Sequence, residues 1–145
     1  MVVFLDTNVI LDVLQERHPH FNDSYKILEL ANNGKIKAYI SATSVMDIIY
    51  LMSREIKGEN KNEIIRTSML KLLGFLKISE VTQRDIEKAL MAKDFGDIED
   101  ALQIQCAKRI NAEYIITRDK NGFKNSVISS ITPKEAVEVF LNRTP

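Results

Sequence analysis

Single aspartates follow several short apolar runs of this sequence, at positions where a buried strand would end. Asp6 comes directly after Val2–Leu5, and Asp119 lies two residues beyond Thr117, which closes another such run. Asp47 lies one turn into the helix predicted after a further strand. Carboxylates gathered in a cleft repel one another, and a divalent cation such as Mg²⁺ or Mn²⁺ supplies the counter-charge they need. Such an ion activates water and stabilises the charge on a phosphodiester during hydrolysis.

A further pair of aspartates, Asp97 and Asp100, lies at the start of a predicted helix. Residues three apart in a first turn face the same side, so both carboxylates can serve one site. The helix dipole and the free N–H groups also favour aspartate there, so capping alone is an alternative explanation for this pair. Convergence favours a site, because four separate segments place acids where a parallel sheet gathers them. The candidate catalytic residues are Asp6, Asp47, Asp97, Asp100 and Asp119.

Strands and helices alternate along the chain in the hydrophobic pattern of an α/β protein. The alternation predicts a three-layer α/β/α sandwich with a central parallel sheet, as in Rossmann-like folds. Ligands of such folds bind beyond the carboxyl ends of the strands, which is where the aspartates are predicted to lie. The predicted strands are Val2–Leu5, Ile36–Ile40, Leu76–Val81, Tyr114–Thr117 and Val127–Ile131, with helices between them and a last helix from Pro133.

The composition predicts one globular domain spanning residues 1–145. Hydrophobic residues make up 45% and charged residues 28%, which argues against a disordered or membrane-inserted chain. No basic leader precedes the first strand, so we expect a cytoplasmic protein. The 20 basic and 20 acidic residues cancel, so the net charge does not attract nucleic acid. A nuclease that commits carboxylates to metal still fits if basic residues surround its cleft.

Five segments resemble, in order, the motifs of PIN domains, the fold of many VapC-type toxins and of several RNA-processing nucleases. They are Leu5–Asp12, Ile40–Asp47, Asp97–Leu102, Tyr114–Asp119 with Phe123, and Thr132–Glu135, which resembles the proline-initiated final helix of bacterial members. The resemblance covers nearly the whole chain and implies a PIN-like fold. It also implies an endoribonuclease that hydrolyses RNA with Mg²⁺ or Mn²⁺.

The resemblance further implies roles for individual residues. Asp6 and Asp100 would be the main metal-linked acids, and Asp97 and Asp119 would complete the metal pocket. A toxin of this family is expected to form a homodimer and to be inhibited by a small antitoxin protein, with no membrane partner. The residues implied to orient the carboxylates by hydrogen bonding are Asn8 and Thr117.

Two positions depart from the family's pattern. Asp47 stands where glutamate is more frequent, and Gly122 stands where an aspartate usually precedes the phenylalanine. These departures motivate an alternative function, a catalytically weak PIN module that binds RNA or a protein partner without turnover. A third class, a phosphoacceptor domain like a response-regulator receiver, needs paired acids after its first strand, and only Asp6 follows that strand here.

Charged residues next to the candidate site receive separate predictions. Arg118 and Lys120 flank Asp119 and are predicted to contact substrate phosphates. Glu99 lies between the two helix-start aspartates and is predicted to point away from them, as a solvated or salt-bridged residue. Asp12 is predicted to have a helix-surface or loop-tethering role rather than a metal-binding one.

Overall fold

Five strands form the centre of the computed structural model, which describes residues 1–94 and 96–143. They lie in the order β3-β2-β1-β4-β5, and every adjacent pair is parallel. The predicted α/β fold with a central parallel sheet is therefore confirmed. The predicted domain, residues 1–145, includes Phe95, Thr144 and Pro145, which lie outside the described residues. The strands are β1 (Val2–Leu5), β2 (Lys37–Ser41), β3 (Lys77–Ser79), β4 (Tyr114–Ile116) and β5 (Ser129–Ile131).

Helices connect the strands, and the sequence predicts most of them. A short 3₁₀ turn, Lys120–Phe123, follows β4 and was not predicted. None of the helices in the described parts of the chain combines the length and apolar character that crossing a membrane requires. The helices are α1 (Thr7–Leu14), α2 (Phe21–Asn32), α3 (Ala42–Glu55), α4 (Lys61–Leu73), α5 (Gln83–Met91), α6 (Ile98–Arg109) and α7 (Pro133–Asn142).

The two central strands bury side chains on both faces of the sheet. In β1, Val3 and Leu5 belong to one apolar core, whereas Phe4 belongs to a second. In β4, Ile116 and Ile115 divide between the same two cores. Successive side chains of a strand point to opposite faces, so a strand covered on both sides must be apolar throughout. This explains why β1 and β4 are continuous apolar runs in the sequence.

The strand order places the candidate site at the junction of β1 and β4. From β1 the chain proceeds through β2 to β3 on one side, and it then returns to place β4 and β5 on the other side. In open parallel sheets this reversal leaves a crevice beyond the carboxyl ends of the two strands, where ligands commonly bind. Asp6 and Thr117 are the first residues beyond those two ends.

Candidate functional site

Asp6 and Thr117 are held together where β1 and β4 end. The Asp6 amide donates to the Ile116 carbonyl at 3.0 Å, and the Thr117 hydroxyl donates to Asp6 Oδ2 at 2.8 Å. Asp6 is the N-cap residue of α1, yet its side chain makes no capping hydrogen bond. Thr117 Oγ1 also accepts from the Asp119 amide at 3.0 Å. One buried hydroxyl therefore fixes both Asp6 and the segment that carries Asp119.

Five acidic side chains line a single cleft of about 370 Å³ beyond these strands. No Lys, Arg or His is among the residues that line it. None of the five acids forms a salt bridge within the described residues. The cleft therefore gathers acidic side chains that have no basic partner among the described residues. The five acids are Asp6, Asp47, Glu99, Asp100 and Asp119.

A chain of buried hydroxyls ties the start of α3 to the start of α1. Ser41 caps α3 by accepting from the Ser44 amide at 3.0 Å. The Ser44 hydroxyl contacts Ser41 Oγ at 2.9 Å and Thr7 Oγ1 at 2.8 Å. Because Thr7 follows Asp6 directly, this network fixes the first turn of α3 relative to β1. Asp47, one turn further along α3, consequently reaches the cleft.

The pKa values in the cleft are those expected of crowded carboxyls. Burial raises the pKa of Asp6, hydrogen bonds from Thr117 and Gln103 oppose that rise, and the charge of Asp119 adds to it. Burial raises the pKa of Asp100 to about 6, with further contributions from the charges of Asp97, Asp6 and Asp119. The charges of neighbouring carboxylates thus make Asp6 and Asp100 harder to ionise, which is the arrangement that a bound cation would relieve.

The α6 aspartates divide into two roles. Asp97 is the N-cap, and its Oδ1 accepts from the Glu99 amide at 2.7 Å and the Asp100 amide at 3.4 Å. It is exposed and does not line the cleft, so the capping alternative describes its contacts. Asp100 does line the cleft, and Asp97 acts on it as a nearby negative charge.

Glu99 and Gln103 are two of the cleft-lining residues that were not predicted for the site, and both contact or influence its carboxyls. Glu99 does not point away from the other acids: it lines the cleft, burial raises its pKa, and the charge of Asp47 and a hydrogen bond with it add to the rise. Gln103 is only 2% exposed, contributes a hydrogen bond to Asp6, and has an Oε1 without a partner in the described structure. A buried acceptor left unpaired is a structural cost, and here it accompanies a contact to a cleft carboxylate.

The other predicted residues lie at the edges of the site. Asn8 lines the cleft, but its side chain forms no hydrogen bond to a carboxylate in the described parts of the chain. Arg118 turns away from the cleft, and its Nε lies 3.0 Å from Asp12 Oδ2. Lys120 Nζ lies 2.9 and 3.1 Å from the two carboxylate oxygens of Glu135. Both predicted phosphate contacts therefore have acidic partners already.

The donor set suits a hard divalent cation. All cleft acids offer oxygen ligands, and no basic side chain neutralises them. Among residues 1–94 and 96–143, no three His, Cys, Asp or Glu side chains converge closely enough to hold an ion as they stand. Such a site would use one or two carboxylates directly and complete the coordination with water, as Mg²⁺ sites usually do. Asp6 and Asp100, the predicted main metal-linked acids, both line the cleft.

A family model for the PIN domain matches residues 2–121. The chain belongs to the PIN-domain family. This membership confirms the resemblance that the sequence motifs carry, from Asp6 in the first motif to Asp119 in the last. The match ends inside the 3₁₀ turn, so the first four motifs lie within it, apart from Phe123.

Individual relatives agree with the family assignment. The chain is 27% identical over 140 residues to "Ribonuclease VapC1" of Aquifex aeolicus, covering 94% of this chain and 93% of that protein. Its fold matches the crystal structure of FitAcB from Neisseria gonorrhoeae with a TM-score of 0.71, 18% identity, and coverage of 91% and 98% of the two chains. A toxin-antitoxin complex from Klebsiella pneumoniae gives a TM-score of 0.64, 18% identity, and coverage of 90% and 97%.

Proposed function

We propose that this PIN-domain protein is a divalent-metal-dependent endoribonuclease that hydrolyses RNA phosphodiester bonds. The observation that carries the proposal is the cleft itself, which five acids line with no basic side chain among the described lining residues. The name of the matched relative, a ribonuclease, supports RNA as the substrate class. The proposed metal is Mg²⁺ or Mn²⁺, because both prefer oxygen ligands.

The chain's own residues would position the ion and the substrate. When bound, a divalent cation supplies a hydrolytic nucleophile at neutral pH and offsets the charge that develops on the phosphodiester. Asp6 would hold the ion in an orientation set by Thr117, and Asp100 would do so from the first turn of α6. Asp119 and Asp47 would contribute through water or by direct contact. A hydrogen bond to a metal-binding side chain, such as that from Thr117 to Asp6, commonly changes metal affinity by roughly 10–100-fold.

Metal dependence is the direct test of this function. Protein stripped with EDTA is expected to leave a panel of structured RNAs intact, and added Mn²⁺ or Mg²⁺ is expected to restore cleavage. The Mn²⁺ concentration for half-maximal activity should fall as pH rises through about 6, because the proton must leave Asp100 before the ion binds. Gel analysis of the RNA panel across metal concentration and pH measures both effects.

Other outcomes of that titration would separate the competing functions. Cleavage that persists unchanged in EDTA would contradict metal dependence. RNA that binds without being cut at any Mn²⁺ concentration would favour the catalytically weak module. The departures from the family pattern at Asp47 and Gly122 are the features that keep this second function under consideration.

Lys120 is the better placed of the two predicted phosphate contacts. Its pair with Glu135 is at the surface, with side chains 46% and 45% exposed, so RNA can replace Glu135 at little cost. We expect Lys120→Ala to weaken RNA binding a few-fold and to lower the slope of log affinity against log salt by about 0.7, as for one phosphate contact to a single strand. Lys124→Ala, an exposed lysine in the same region, is the matched control. An unchanged salt slope for Lys120→Ala would remove Lys120 from the RNA path.

We also infer a role as the toxin of a toxin-antitoxin pair, with a small antitoxin as partner and a homodimer as the functional state. The VapC name of the matched relative and the toxin-antitoxin complex among the fold matches support the toxin role and the antitoxin partner. The neighbouring reading frame discriminates between roles. A short DNA-binding neighbour favours the toxin, and a lone gene favours a housekeeping nuclease. The predicted cytoplasmic location belongs with either role.

A further inference from the structure

Gly122 lies directly against the carboxylate of Asp100. A Cβ atom built on Gly122 would fall 2.3 Å from Asp100 Oδ2 and 3.0 Å from Asp100 Cγ. Carbon and oxygen atoms that are not bonded do not approach so closely, so any other residue at 122 requires a displacement. By contrast, a Cβ on Gly34, Gly58 or Gly96 would meet no atom within 4 Å.

The backbone conformation does not explain this glycine. Positive φ angles occur at Gly34 and Gly58 among the glycines, and not at Gly122. An L-residue could therefore adopt the Gly122 backbone, and the obstacle is the space taken by Asp100. This distinguishes Gly122 from a glycine that a tight turn requires.

The 3₁₀ turn that carries Gly122 and the helix α6 that carries Asp100 are both held in place. The 3₁₀ turn that carries Gly122 begins at Asp119, whose Oδ1 accepts from the Asn121 amide at 3.1 Å. It ends at Phe123, which is 2% exposed and packs in the second apolar core with Ile104 of α6. With the turn and the helix both fixed, the group free to move is the side chain of Asp100.

We propose that Gly122 is a positioning residue that allows the Asp100 carboxylate to occupy its place in the acidic cleft beside Asp6. This inference deepens the proposed function and rests on it for its catalytic meaning. A methyl group at 122 drives the carboxylate away from the 3₁₀ turn and disturbs the geometry that a cation needs. Gly122 therefore does more than omit the carboxylate that is usual at this position in the family, because it leaves space for the Asp100 carboxylate. Installing aspartate at 122 would displace Asp100 rather than strengthen the site.

Gly122→Ala tests the proposal, with Gly96→Ala as the matched control, since both add one methyl group at a backbone that tolerates it. Isothermal titration of the metal-free protein with Mn²⁺ measures affinity. We expect Gly122→Ala to weaken Mn²⁺ binding about 10-fold, the size of effect seen when a ligand loses its support. Gly96→Ala should stay within about twofold of the wild type. Affinity of Gly122→Ala within that twofold range would overturn the proposal.

A double-mutant cycle separates displacement of Asp100 from a general backbone effect. Asp100→Ala removes the carboxylate that the new methyl group would strike. Adding Gly122→Ala to Asp100→Ala should therefore change neither the Mn²⁺ affinity nor the midpoint temperature of unfolding. If the second substitution changes either quantity as much as it does in the wild type, the effect does not pass through Asp100 and the proposal fails.

A readout without metal keeps this inference distinct from the proposed function. The ¹³C chemical shift of the Asp100 carboxyl group should move in metal-free Gly122→Ala and stay unchanged in Gly96→Ala. A protein that binds no Mn²⁺ would contradict the proposed function, while a moved Asp100 resonance would still support positioning by Gly122. An unmoved resonance would overturn the positioning role whether or not metal binds.

Discussion

Replacing Asp6 or Asp100 with asparagine is expected to lower the rate of Mn²⁺-dependent RNA cleavage by at least about 100-fold, beyond the range typical of losing an outer hydrogen-bond partner. Asparagine keeps the shape of each side chain and removes the negative charge that would hold the cation. Both residues line the cleft, and Thr117 already orients the Asp6 carboxylate. Single-turnover cleavage of a labelled RNA at saturating Mn²⁺ measures the change. Undiminished activity in either variant would remove that residue from the mechanism.

A charge-matched control shows that the loss belongs to the cleft. Glu138→Gln removes one negative charge from the exposed face of α7 and should leave cleavage unchanged.

Without metal, Asp100→Asn should also be more stable than the wild type at neutral pH. The pKa of Asp100 is raised, so its favourable contribution to stability is present below the ordinary value of 3.8 and is lost as pH rises through about 6. The stability difference should therefore vanish in acid, as thermal unfolding across pH can show.

Lower activity together with higher stability in Asp100→Asn would show that repulsion between the cleft carboxylates destabilises the fold. Uncompensated carboxylates cost folding free energy, and a fold retains them where function requires it. The Oε1 of buried Gln103, which has no partner in the described structure, also costs folding free energy, since a hydrophobic side chain there would avoid that cost. A stabilising effect of Asp100→Asn together with its inactivity would thus support a metal site over a purely structural acidic cluster.

The sequence predicts the cleft aspartates at strand ends because parallel strands deliver their carboxyl ends to one edge. Asp6 and Asp119 follow from that rule once β1 and β4 are recognised as buried strands. Their closeness depends on β1 and β4 being neighbours, which pairing of the strands decides and no local pattern reveals. For Thr117 too, the sequence predicts the position at the end of β4. Its hydrogen bond to Asp6 could not be predicted, because it depends on the register between β1 and β4.

The prediction for Glu99 was wrong because it treated the spacing of Asp97 and Asp100 as that of two residues on one helical face. Asp97 has φ −116° and ψ 124°, an extended backbone, so it stands outside the helical repeat and the spacing from 97 to 100 does not define a face. Glu99 and Asp100 are then neighbours in the first turn, and the cleft is wide enough to contact both. Gln103 carried a usable signal, since it lies three residues after Asp100 on the same face of α6.

The sequence predicts a helix-surface or loop-tethering role for Asp12. The structure agrees with the tethering role and not with a position on the helix surface. The side chain is fully buried, because α2 and the segment after β4 cover that side of α1. Sequence spacing assigns a polar residue to the solvent face by default. Only the packing of α2 against α1 could reveal that Asp12 faces inward, where Ser24 donates to its Oδ2 and Arg118 Nε lies 3.0 Å from the same oxygen.

This tether leads to the largest stability effect that we expect. Asp12 Oδ2 accepts from Ser24 Oγ at 2.9 Å and lies 3.0 Å from Arg118 Nε, and its side chain has no solvent exposure. Asp12→Ala leaves a partly buried guanidinium unpaired, which should lower the free energy of unfolding by about 3 kcal/mol, the low end for a broken buried pair. The low end applies because Arg118 stays 27% exposed and regains some hydration. In a chain of this size the midpoint temperature should fall by roughly 6–12 °C.

The reverse substitution should be worse, because the partner left behind has no access to water. Arg118→Met strands the Asp12 carboxylate, which already has one oxygen, Oδ1, without a hydrogen-bond partner in the described structure. Adding Asp12→Asn to Arg118→Met removes that stranded charge and should recover part of the lost stability, giving a strongly non-additive cycle in urea or thermal unfolding. Additive losses would mean that the two side chains do not depend on each other. Because Arg118 lies between Thr117 and Asp119, a stable tether also holds the acidic edge of the cleft in register with α1.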